Sequence, residues 1–383
     1  MTCASGLGAG DPPSQAPASS PSLPKSPGPK HLTEMTPAAA SRITAVSPLW
    51  AVEGGRVTIS GDGFGLEPHL PEVRLGGVRA TVAHASRQSL TVIVPPGLDG
   101  GHTPVRVDSA PGETAYVEIG APIATGVHLV DNPAFDLDGN LFLTFSGSRG
   151  QETPVSIYVV RRDGSREPFV AGLPNPTSMA LDPRGRLHVS SRFDGSVHLV
   201  ASDGSISTVA TDLGVACGIA FNRDGDLFVG DRSGSILRVR DGEVKILASI
   251  PSSVAAFHLA FGPDGWLYVT APTLSPRDVV YRLSPDGTLE TFCDGLGRPQ
   301  GLAFDSDGHL YVVDAVAGSS AVYRFRSDRP GVKDCVLSGG ALLGLAFDPL
   351  GGLIVSSSET VYRLDVGLKG VLPIQPAPSP VSA

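Results

Sequence analysis

Three arginines stand at equivalent places in neighbouring stretches of this 383-residue sequence, and their side chains suit an anion. Arg149, Arg192 and Arg232 occur in SGSRG, SSRFD and GDRSG, each just after an apolar run typical of a β-strand. A guanidinium presents paired donors in a fixed fork that matches a carboxylate or phosphate. Convergence of the three would predict an anionic ligand. The alternative is local ion pairing of Arg192 with Asp194 and of Arg232 with Asp231, which contributes little energy.

Other chemically capable residues come just before apolar runs. Asn132 precedes PAFD, His258 opens HLAF and Gln300 precedes GLAF, and we expect these three to contact the same ligand. Asp131 is a candidate metal ligand. A histidine acts as a base only with an orienting partner and a nearby reacting group, so a structural role for His258 stays open. The sequence identifies no catalytic residue, and it contains no GxSxG, HExxH or phosphate-cradling motif.

Composition limits the partners. The formal net charge is −9 and no Lys/Arg run occurs, which argues against nucleic acid and against an acidic membrane surface. The four cysteines show neither metal spacing nor a disulfide framework. No stretch has the length and apolarity of a membrane span, and the first thirty residues lack the pattern of a secretory signal. We therefore expect a cytoplasmic protein.

One phrase, an apolar strand followed by a tight turn and a second strand, occurs six times after residue 120. The copies are PAFDLDGNLFLT, MALDPRGRLHVS, GIAFNRDGDLFVG, HLAFGPDGWLYVT, GLAFDSDGHLYVV and GLAFDPLGGLIVS, with turn glycines 40 to 46 residues apart. Glycine suits the last turn position because that position takes a positive φ. With further strand-like runs after the hairpins, a period near forty predicts a six-bladed β-propeller of four-stranded blades.

The ends of the repeat array predict how the ring closes. The last copy stops after its third strand near Leu364, and residues 125–130 stand before the first copy where a fourth strand would stand. We expect these residues to complete the last blade and so to hide two strand edges. The aspartates of the phrase are expected to bond the backbone of turns: Asp136, Asp182, Asp305 and Asp348 at hairpins, and Asp231 and Asp314 after second strands.

The flanking segments differ in composition. Residues 1–40 and 371–383 are rich in Pro, Ser and Ala, so we expect disordered tails. Residues 41–120 contain short strand-like runs separated by Gly-Gly, Asp-Gly and Pro-Pro-Gly, which is typical of a β-sandwich. Ser47-Pro48, Gly54-Gly55, GDGFG at 61–65, LGG at 75–77 and VPPG at 94–97 resemble the immunoglobulin-like IPT/TIG family. That resemblance implies a spacer or interaction module.

Residues 121–370 resemble the NHL and SMP-30/gluconolactonase-like repeat families, which form six-bladed propellers. The second family implies a metal-dependent lactonase that holds a divalent cation, such as Ca²⁺, with an early Glu-Gly-Pro and oxygen ligands entering later blades. Asp131-Asn132-Pro133 stands where Glu-Gly-Pro would. The equivalent positions in the other blades hold Thr177, Cys217, Phe257, Gln300 and Leu343, none of them a carboxylate. The sequence therefore favours no cofactor.

The sequence thus predicts an all-β protein, an immunoglobulin-like β-sandwich plus a six-bladed β-propeller. Loops that enter the inner strands and loops that leave the second strands meet on one face of a propeller, around its channel, where ligands normally bind. We expect a binding protein that recognises a small ligand, anionic if the arginines converge, or a protein partner there. The alternatives are a lactone hydrolase and a purely architectural module.

Overall fold

The computed structural model describes residues 41–326 and 331–371, and all regular structure in them is β-strand. The tails predicted to be disordered, residues 1–40 and 371–383, lie outside the described residues except for Val371. No helix in the described part of the chain is long and apolar enough to cross a membrane.

The first described element is the sandwich. Its eight strands are β1 (Arg42–Ser47), β2 (Trp50–Ala51), β3 (Arg56–Asp62), β4 (Val73–Leu75), β5 (Val78–Ala85), β6 (Ser89–Ile93), β7 (Gly101–Val107) and β8 (Ala115–Ile119). Alternate residues of a strand face the core. In β3, Val57 and Ile59 are fully buried while their neighbours are not, and they pack with Leu75, Leu90 and Val92.

The propeller follows as six antiparallel four-stranded blades. Its first strand in the chain is β9 (Ala121–Thr125). Blade 1 consists of β10 (Ala134–Phe135), β11 (Leu141–Thr144), β12 (Ile157–Val160) and β13 (Arg166–Val170). Blade 2 consists of β14 (Pro176–Leu181), β15 (Leu187–Ser191), β16 (Ser196–Val200) and β17 (Ile206–Ala210). Blade 3 consists of β18 (Ala216–Phe221), β19 (Leu227–Asp231), β20 (Ser235–Arg240) and β21 (Glu243–Ser249). Blade 4 consists of β22 (His258–Phe261), β23 (Leu267–Thr270), β24 (Asp278–Leu283) and β25 (Leu289–Leu296). Blade 5 consists of β26 (Pro299–Phe304), β27 (Leu310–Asp314), β28 (Ser320–Phe325) and β29 (Lys333–Gly339). Blade 6 consists of β30 (Gly344–Asp348), β31 (Gly352–Ser356) and β32 (Thr360–Leu364), and β9 is its fourth strand.

The first strand of each blade lines the central channel, because these strands contact each other all round the ring from β10 to β30 and back. The six turn glycines have φ between 76° and 104°, as the repeat predicted. The turn aspartates also have their predicted role: Asp136 Oδ1 accepts the Asn140 N–H at 2.8 Å, and Asp314 accepts the N–H groups of Gly297 and Arg298 at 3.0 and 2.6 Å.

Neighbouring blades are joined by a repeated aromatic contact. An aromatic residue in the second strand of one blade meets the phenylalanine that ends the inner strand of the next. Tyr268 and Phe304 have ring centroids 4.9 Å apart, and Tyr311 and Phe347 are 5.0 Å apart, both edge to face. Such pairs favour edge-to-face geometry because of the ring quadrupole. The repeat phrase thus encodes the packing between blades as well as the hairpin.

A strand that precedes the first repeat completes the last blade, as predicted, but it consists of different residues from those expected. The strand that completes blade 6 is β9, residues 121–125, whose register pairs Thr125 with Thr360 and Ala124 with Val361. The predicted segment 125–130 is wrong as a strand. Gly126 has φ 68°, which ends β9 and turns the chain towards the channel. The following residues contribute single backbone bonds, such as Leu129 N–H to Ser358 O at 3.0 Å.

The sandwich joins the propeller through a shared sheet. Strand β2 lies parallel to β8 on one side and to β29, the outer strand of blade 5, on the other. Gly55 comes so close that a Cβ there would lie 2.5 Å from the Ser338 carbonyl oxygen. Val52 is buried in the core of blades 5 and 6. The sandwich is therefore packed on the propeller and covers the edge strand of one blade.

Closure by β9 predicts a difference between two shortened chains. A chain that begins at Ala121 keeps the fourth strand of blade 6, whereas one that begins at Gly126 loses it and exposes the β32 edge. Both lack the sandwich, so their difference reports β9 alone. We expect the shorter chain to melt at least about 5 °C lower in a calorimetric scan, because a loss of 1 kcal/mol shifts Tm by about 2–4 °C in a domain of this size. Equal melting temperatures would contradict closure by β9.

Candidate functional site

The candidate site lies at the end of the channel where the inner strands begin, which we call the entry face. It is formed by the loops that enter β10, β14, β18, β22, β26 and β30 and by those that leave the second strands. The sequence-predicted residues Asp131, His258 and Gln300 belong to the entering loops or strand starts, and the three arginines to the leaving loops. The opposite end, where the hairpin turns lie, is called the turn face.

Asp131 and His258 form a buried pair across the channel. His258 Nδ1 lies 2.5 Å from Asp131 Oδ1, and the side chains are 0% and 3% exposed. The same oxygen accepts the Asn132 N–H at 2.6 Å. A carboxylate that accepts from Nδ1 fixes the orientation of the imidazole and leaves Nε2 on its other side, without a partner among the described residues. The orienting partner that the sequence could not supply for His258 is therefore Asp131.

Asn132, which we predicted to contact a ligand, uses both of its amide atoms within the protein. Its Nδ2 donates to the Leu302 carbonyl at 3.0 Å, and its Oδ1 accepts the Leu345 N–H at 3.0 Å. Gly301 leaves room for this, because a Cβ there would lie 2.3 Å from Asn132 Oδ1. Both amide atoms are used to tie blade 1 to the inner strands of blades 5 and 6. We assign Asn132 to holding the ring together.

Five buried polar side-chain atoms at the entry face have no hydrogen-bond partner among the described residues. They are His258 Nε2, His128 Nδ1, Ser146 Oγ, Ser356 Oγ and Arg192 Nε. Ser146 and Ser356 are fully buried where second strands end. Burial, assisted by the charge of Arg192, lowers the pKa of His128. Buried polar groups in folded proteins are nearly always bonded, so these atoms call for water, an ion or a ligand at this face.

The three arginines share one electrostatic neighbourhood. Arg192 is partly buried and its Nη2 donates to the Gly147 carbonyl at 3.1 Å. Its pKa is lowered, mainly because burial removes water from the guanidinium, and the charges of Arg232 and Arg149 act in the same direction. The charges of Arg149 and Arg232 thus reach the Arg192 guanidinium. Arg149 and Arg232 are exposed, and Arg232 Nε donates to the Ser253 carbonyl at 3.2 Å.

The local ion pairs considered for these arginines do not form. Asp194 Oδ1 accepts the Ser196 hydroxyl at 2.6 Å, and Asp231 Oδ1 accepts the Val215 N–H at 2.8 Å. Within residues 41–326 and 331–371, no ion pair involves Arg149, Arg192 or Arg232. The three arginines therefore have no carboxylate partner among the described residues, and their convergence on one ligand stays a prediction.

The remaining entering positions do not make a shell for a hard cation. Thr177 Oγ1 donates to the Asn175 carbonyl at 2.9 Å, and the Gln300 carbonyl accepts the Thr270 hydroxyl at 2.5 Å. Cys217 is 2% exposed, and Phe257 is apolar. Calcium takes six to eight oxygen ligands. Asp131 is one carboxylate, already bonded to His258, so the residues present do not fit the calcium site that the family resemblance implied.

One group of possible metal donors occurs in the described residues, and it lies elsewhere. Asp305, Asp307 and His309 sit in the hairpin turn of blade 5, on the turn face. Asp305 Oδ1 accepts the N–H groups of Asp307 and His309 at 3.0 and 2.8 Å, which is the turn-forming role predicted for it. We assign no function to this group.

Sequence reasoning named both members of the Asp131–His258 pair but missed their contact. A signal for it exists in the repeat. The position that holds His258 is Gly218, Gly301 and Gly344 in three other copies, where small residues let neighbouring inner strands approach. A histidine at a position reserved for small residues has room only if it reaches across the channel. The unpartnered Ser146, Ser356 and His128 carried no sequence signal, because serine and histidine are frequent in strand ends.

Burial of Cys217 predicts an unreactive thiol. Desolvation raises its pKa to about 11, and the Asp131 charge adds to the effect. Because the thiolate is the nucleophile, iodoacetamide should leave Cys217 unmodified in the native protein up to pH 9. The raised pKa favours the neutral thiol in the folded state. Its contribution to stability is therefore full below the unfolded pKa of about 8.5 and is lost as pH rises through 11.

The measurement is mass spectrometry of alkylated peptides over pH 7–9. Cys335 serves as the internal reference, because its residue is exposed even though partial burial of the thiol also raises its pKa. Modification of Cys217 at the rate of Cys335 under native conditions would contradict a buried thiol at the channel.

Comparisons with known proteins agree with this architecture. Residues 41–116 match the IPT/TIG domain family, and residues 194–366 match the family described as SMP-30/Gluconolactonase/LRE-like region. The pentonolactonase XacC of Haloferax volcanii is 30% identical over 146 residues, 38% of this chain and 46% of that protein. The chain thus matches less than half the length of this curated relative.

Solved structures show the fold alone. A gluconolactonase of Xanthomonas campestris, XC5397, has a TM-score of 0.53 and 18% identity over 64% of this chain and 88% of its own. Regucalcin, a calcium-binding protein of Agrobacterium tumefaciens strain C58, has a TM-score of 0.52 and 19% identity over 66% of this chain and 95% of its own. Residues 41–116 are an IPT/TIG domain, and residues 194–366 are an SMP-30/gluconolactonase-like region within a six-bladed propeller.

Proposed function

We propose that the protein binds a small carboxylate-bearing molecule at the entry face of its propeller. The observation that carries this proposal is the group of three arginines without counter-ions, together with four buried polar atoms of serines and histidines that have no partner among the described residues. A carboxylate supplies two acceptor oxygens for guanidinium donors, and hydroxyl groups on the same molecule can satisfy the serines and histidines. One ligand thus accounts for both features.

The charge distribution supports an anion. The whole chain has a formal charge of −9, yet the groups that act on Arg192 include Arg149 and Arg232. A local cluster of one sign in a cleft attracts the opposite charge and raises its local concentration. Repulsion among the arginines is relieved when a carboxylate binds between them. This gain is specific to the bound state.

The relatives suggest the chemical class. XacC is named as a pentonolactonase and XC5397 as a gluconolactonase, so sugar lactones and the sugar acids they yield are the first ligands to test. A sugar acid carries one carboxylate and several hydroxyls, which matches the mixture of arginine, serine and histidine at the entry face.

The binding test is titration calorimetry with D-gluconate and D-xylonate, with D-xylose as the neutral comparison. Arg192→Gln should weaken sugar-acid binding about tenfold or more, because a hydrogen bond to a charged group contributes about 1.5–3 kcal/mol. The thermal midpoint should change little. Arg184→Gln is the matched control: it removes an exposed arginine of the same blade on the turn face. No saturable binding of either acid, or equal weakening by both variants, would contradict the proposal.

A second candidate function, hydrolysis of a sugar lactone, is favoured by the Asp131–His258 pair. The buried Nε2 of His258 has no partner among the described residues, so a water bound there would be held by the imidazole next to an incoming lactone. His258 would take a proton from that water as the oxygen adds to the lactone carbonyl. When the ring C–O bond breaks, the imidazolium returns the proton to the leaving oxygen, and the product is a hydroxy acid. Asp131 holds the ring and stabilises its charged form.

The hydrolysis test follows acid release from D-xylono-1,4-lactone with a pH indicator. His258→Gln should lower kcat about a hundredfold or more, the usual contribution of a general base. Treatment with EDTA should leave the rate unchanged, because the donor set at Asp131 does not fit a hard cation. Activity that chelation abolishes, calcium restores and His258→Gln spares would refute this mechanism. If the protein binds sugar acids but hydrolyses no lactone, only the binding function remains.

A further inference from the structure

A second cavity lies at the other end of the channel and is independent of the entry face. It has a volume of about 630 Å³ and opens at the turn face, with hairpin residues such as Pro183 and Pro349 at its rim. This volume lies in the range of small-molecule sites, about 300–1,000 Å³. Each blade contributes one large apolar side chain to its wall: Phe135, Leu181, Phe221, Phe261, Phe304 and Phe347.

The repeat phrase explains why the cavity is open and rigid. An alanine precedes the large residue in every inner strand, and five of these line the cavity: Ala134, Ala180, Ala260, Ala303 and Ala346. A methyl group at each point leaves the channel wide. The rings are held from behind by the aromatic contacts between blades, such as Phe228 with Phe261 at 5.0 Å. A larger residue than alanine would fill the space without disturbing those contacts.

The deep end of the cavity is closed by Asn132. This residue lines the cavity, and its amide is held by Leu302 and Leu345 as described above. The Asp131–His258 pair lies beyond it, towards the entry face. Asn132 therefore lies between the two ends of the channel, and the turn-face cavity combines a ring of large apolar side chains with charged residues in its wall.

One cation of the apolar cavity is unpaired. Arg238 lines the wall and is partly buried, and in the described residues it makes no hydrogen bond or ion pair. Other lining charges are engaged: Arg240 forms a bidentate pair with Asp226, and Arg223 donates to the Pro263 carbonyl at 3.1 Å. Asp224 is exposed at the rim, in solvent. Arg238 is thus the lining arginine that makes no direct ion pair or hydrogen bond in the described residues, although the pKa of Asp226 is lowered first by the hydrogen bond from Arg240 and also by the Arg238 charge.

We propose that this cavity binds an amphipathic carboxylate, with its apolar chain against the ring of phenylalanines and its carboxylate on Arg238. The aromatic wall removes an alkyl chain or aromatic body from water, which supplies the affinity. The guanidinium supplies a paired donor for the anionic head and sets its orientation. Neither feature belongs to the entry face, so this site and the proposed function can be tested independently.

The test uses titration calorimetry with octanoate, and 1-octanol as the neutral probe of equal chain length. Octanoate should bind saturably with a stoichiometry of one. Ala260→Leu combined with Ala303→Leu fills the cavity and should weaken octanoate at least tenfold. Arg238→Gln should weaken octanoate about tenfold and leave 1-octanol unchanged. Lys245→Gln, which removes a charge from the neighbouring strand position outside the cavity, should change neither.

Thermal melting checks that each variant folds. Photolabelling locates the bound ligand in the unaltered protein, so the test does not rely only on the variant that combines Ala260→Leu with Ala303→Leu. A diazirine analogue of octanoate should label peptides that contain Phe261 or Phe304. Arg192→Gln should not alter octanoate binding. Absence of saturable octanoate binding, equal effects of Arg238→Gln and Lys245→Gln, or labelling confined to other peptides would each overturn the proposal.

Discussion

The pairing of β9 with β32 is the contact on which the rest of the propeller depends. It joins the two ends of the repeat array, so that six blades enclose a channel and the last blade has a covered edge. Within that ring the innermost strand of blade 1 is only two residues long, Ala134–Phe135, so it can form few backbone hydrogen bonds with the neighbouring strand. The amide of Asn132 compensates by bonding to blades 5 and 6 across the channel.

Closure also determines where the sandwich sits. Strand β9 begins directly after Gly120, so β8 of the sandwich must end beside the last blade. From there β2 reaches the outer strand of blade 5 and extends its sheet. An exposed strand edge is a template for unwanted pairing, and the sandwich covers this one. The IPT/TIG domain is thus a part of the propeller surface, with Val52 in a core that belongs to blades 5 and 6.

The two ends of the channel differ because the inner strands are not uniform along their length. Their beginnings carry hydrogen-bonding residues such as Asp131, Thr177 and His258, while their ends carry an alanine followed by a phenylalanine or leucine. Several inner strands therefore place a polar group at the entry face, and all six place an apolar one towards the turn face. Because this pattern recurs in successive blades, polar residues gather at the entry face and apolar residues line the cavity at the turn face. Two ligand chemistries can then coexist in one channel.

The recurring elements could be predicted from the amino-acid sequence. Period, turn glycines and alternating strands predicted six blades, and the aspartates were correctly placed in turns, because these features depend on residues within a few positions of each other. The sandwich could be predicted for the same reason. Closure was predicted in principle, but its strand was placed four residues late, since the sequence around Gly126 does not show that the glycine takes a positive φ.

The contacts within the candidate site could not be predicted in this way, because they join distant parts of the chain. Asp131 and His258 are 127 positions apart and meet only because blades 1 and 4 face each other across a closed ring. The same closure shows that Asn132 is used for bonding and that Arg192 and Arg232 lack the acidic partners their neighbours in sequence suggested. Contacts across a channel depend on the radius of the ring and on which side chains are small. Those quantities come from the packing of all six blades and are not contained in any one repeat.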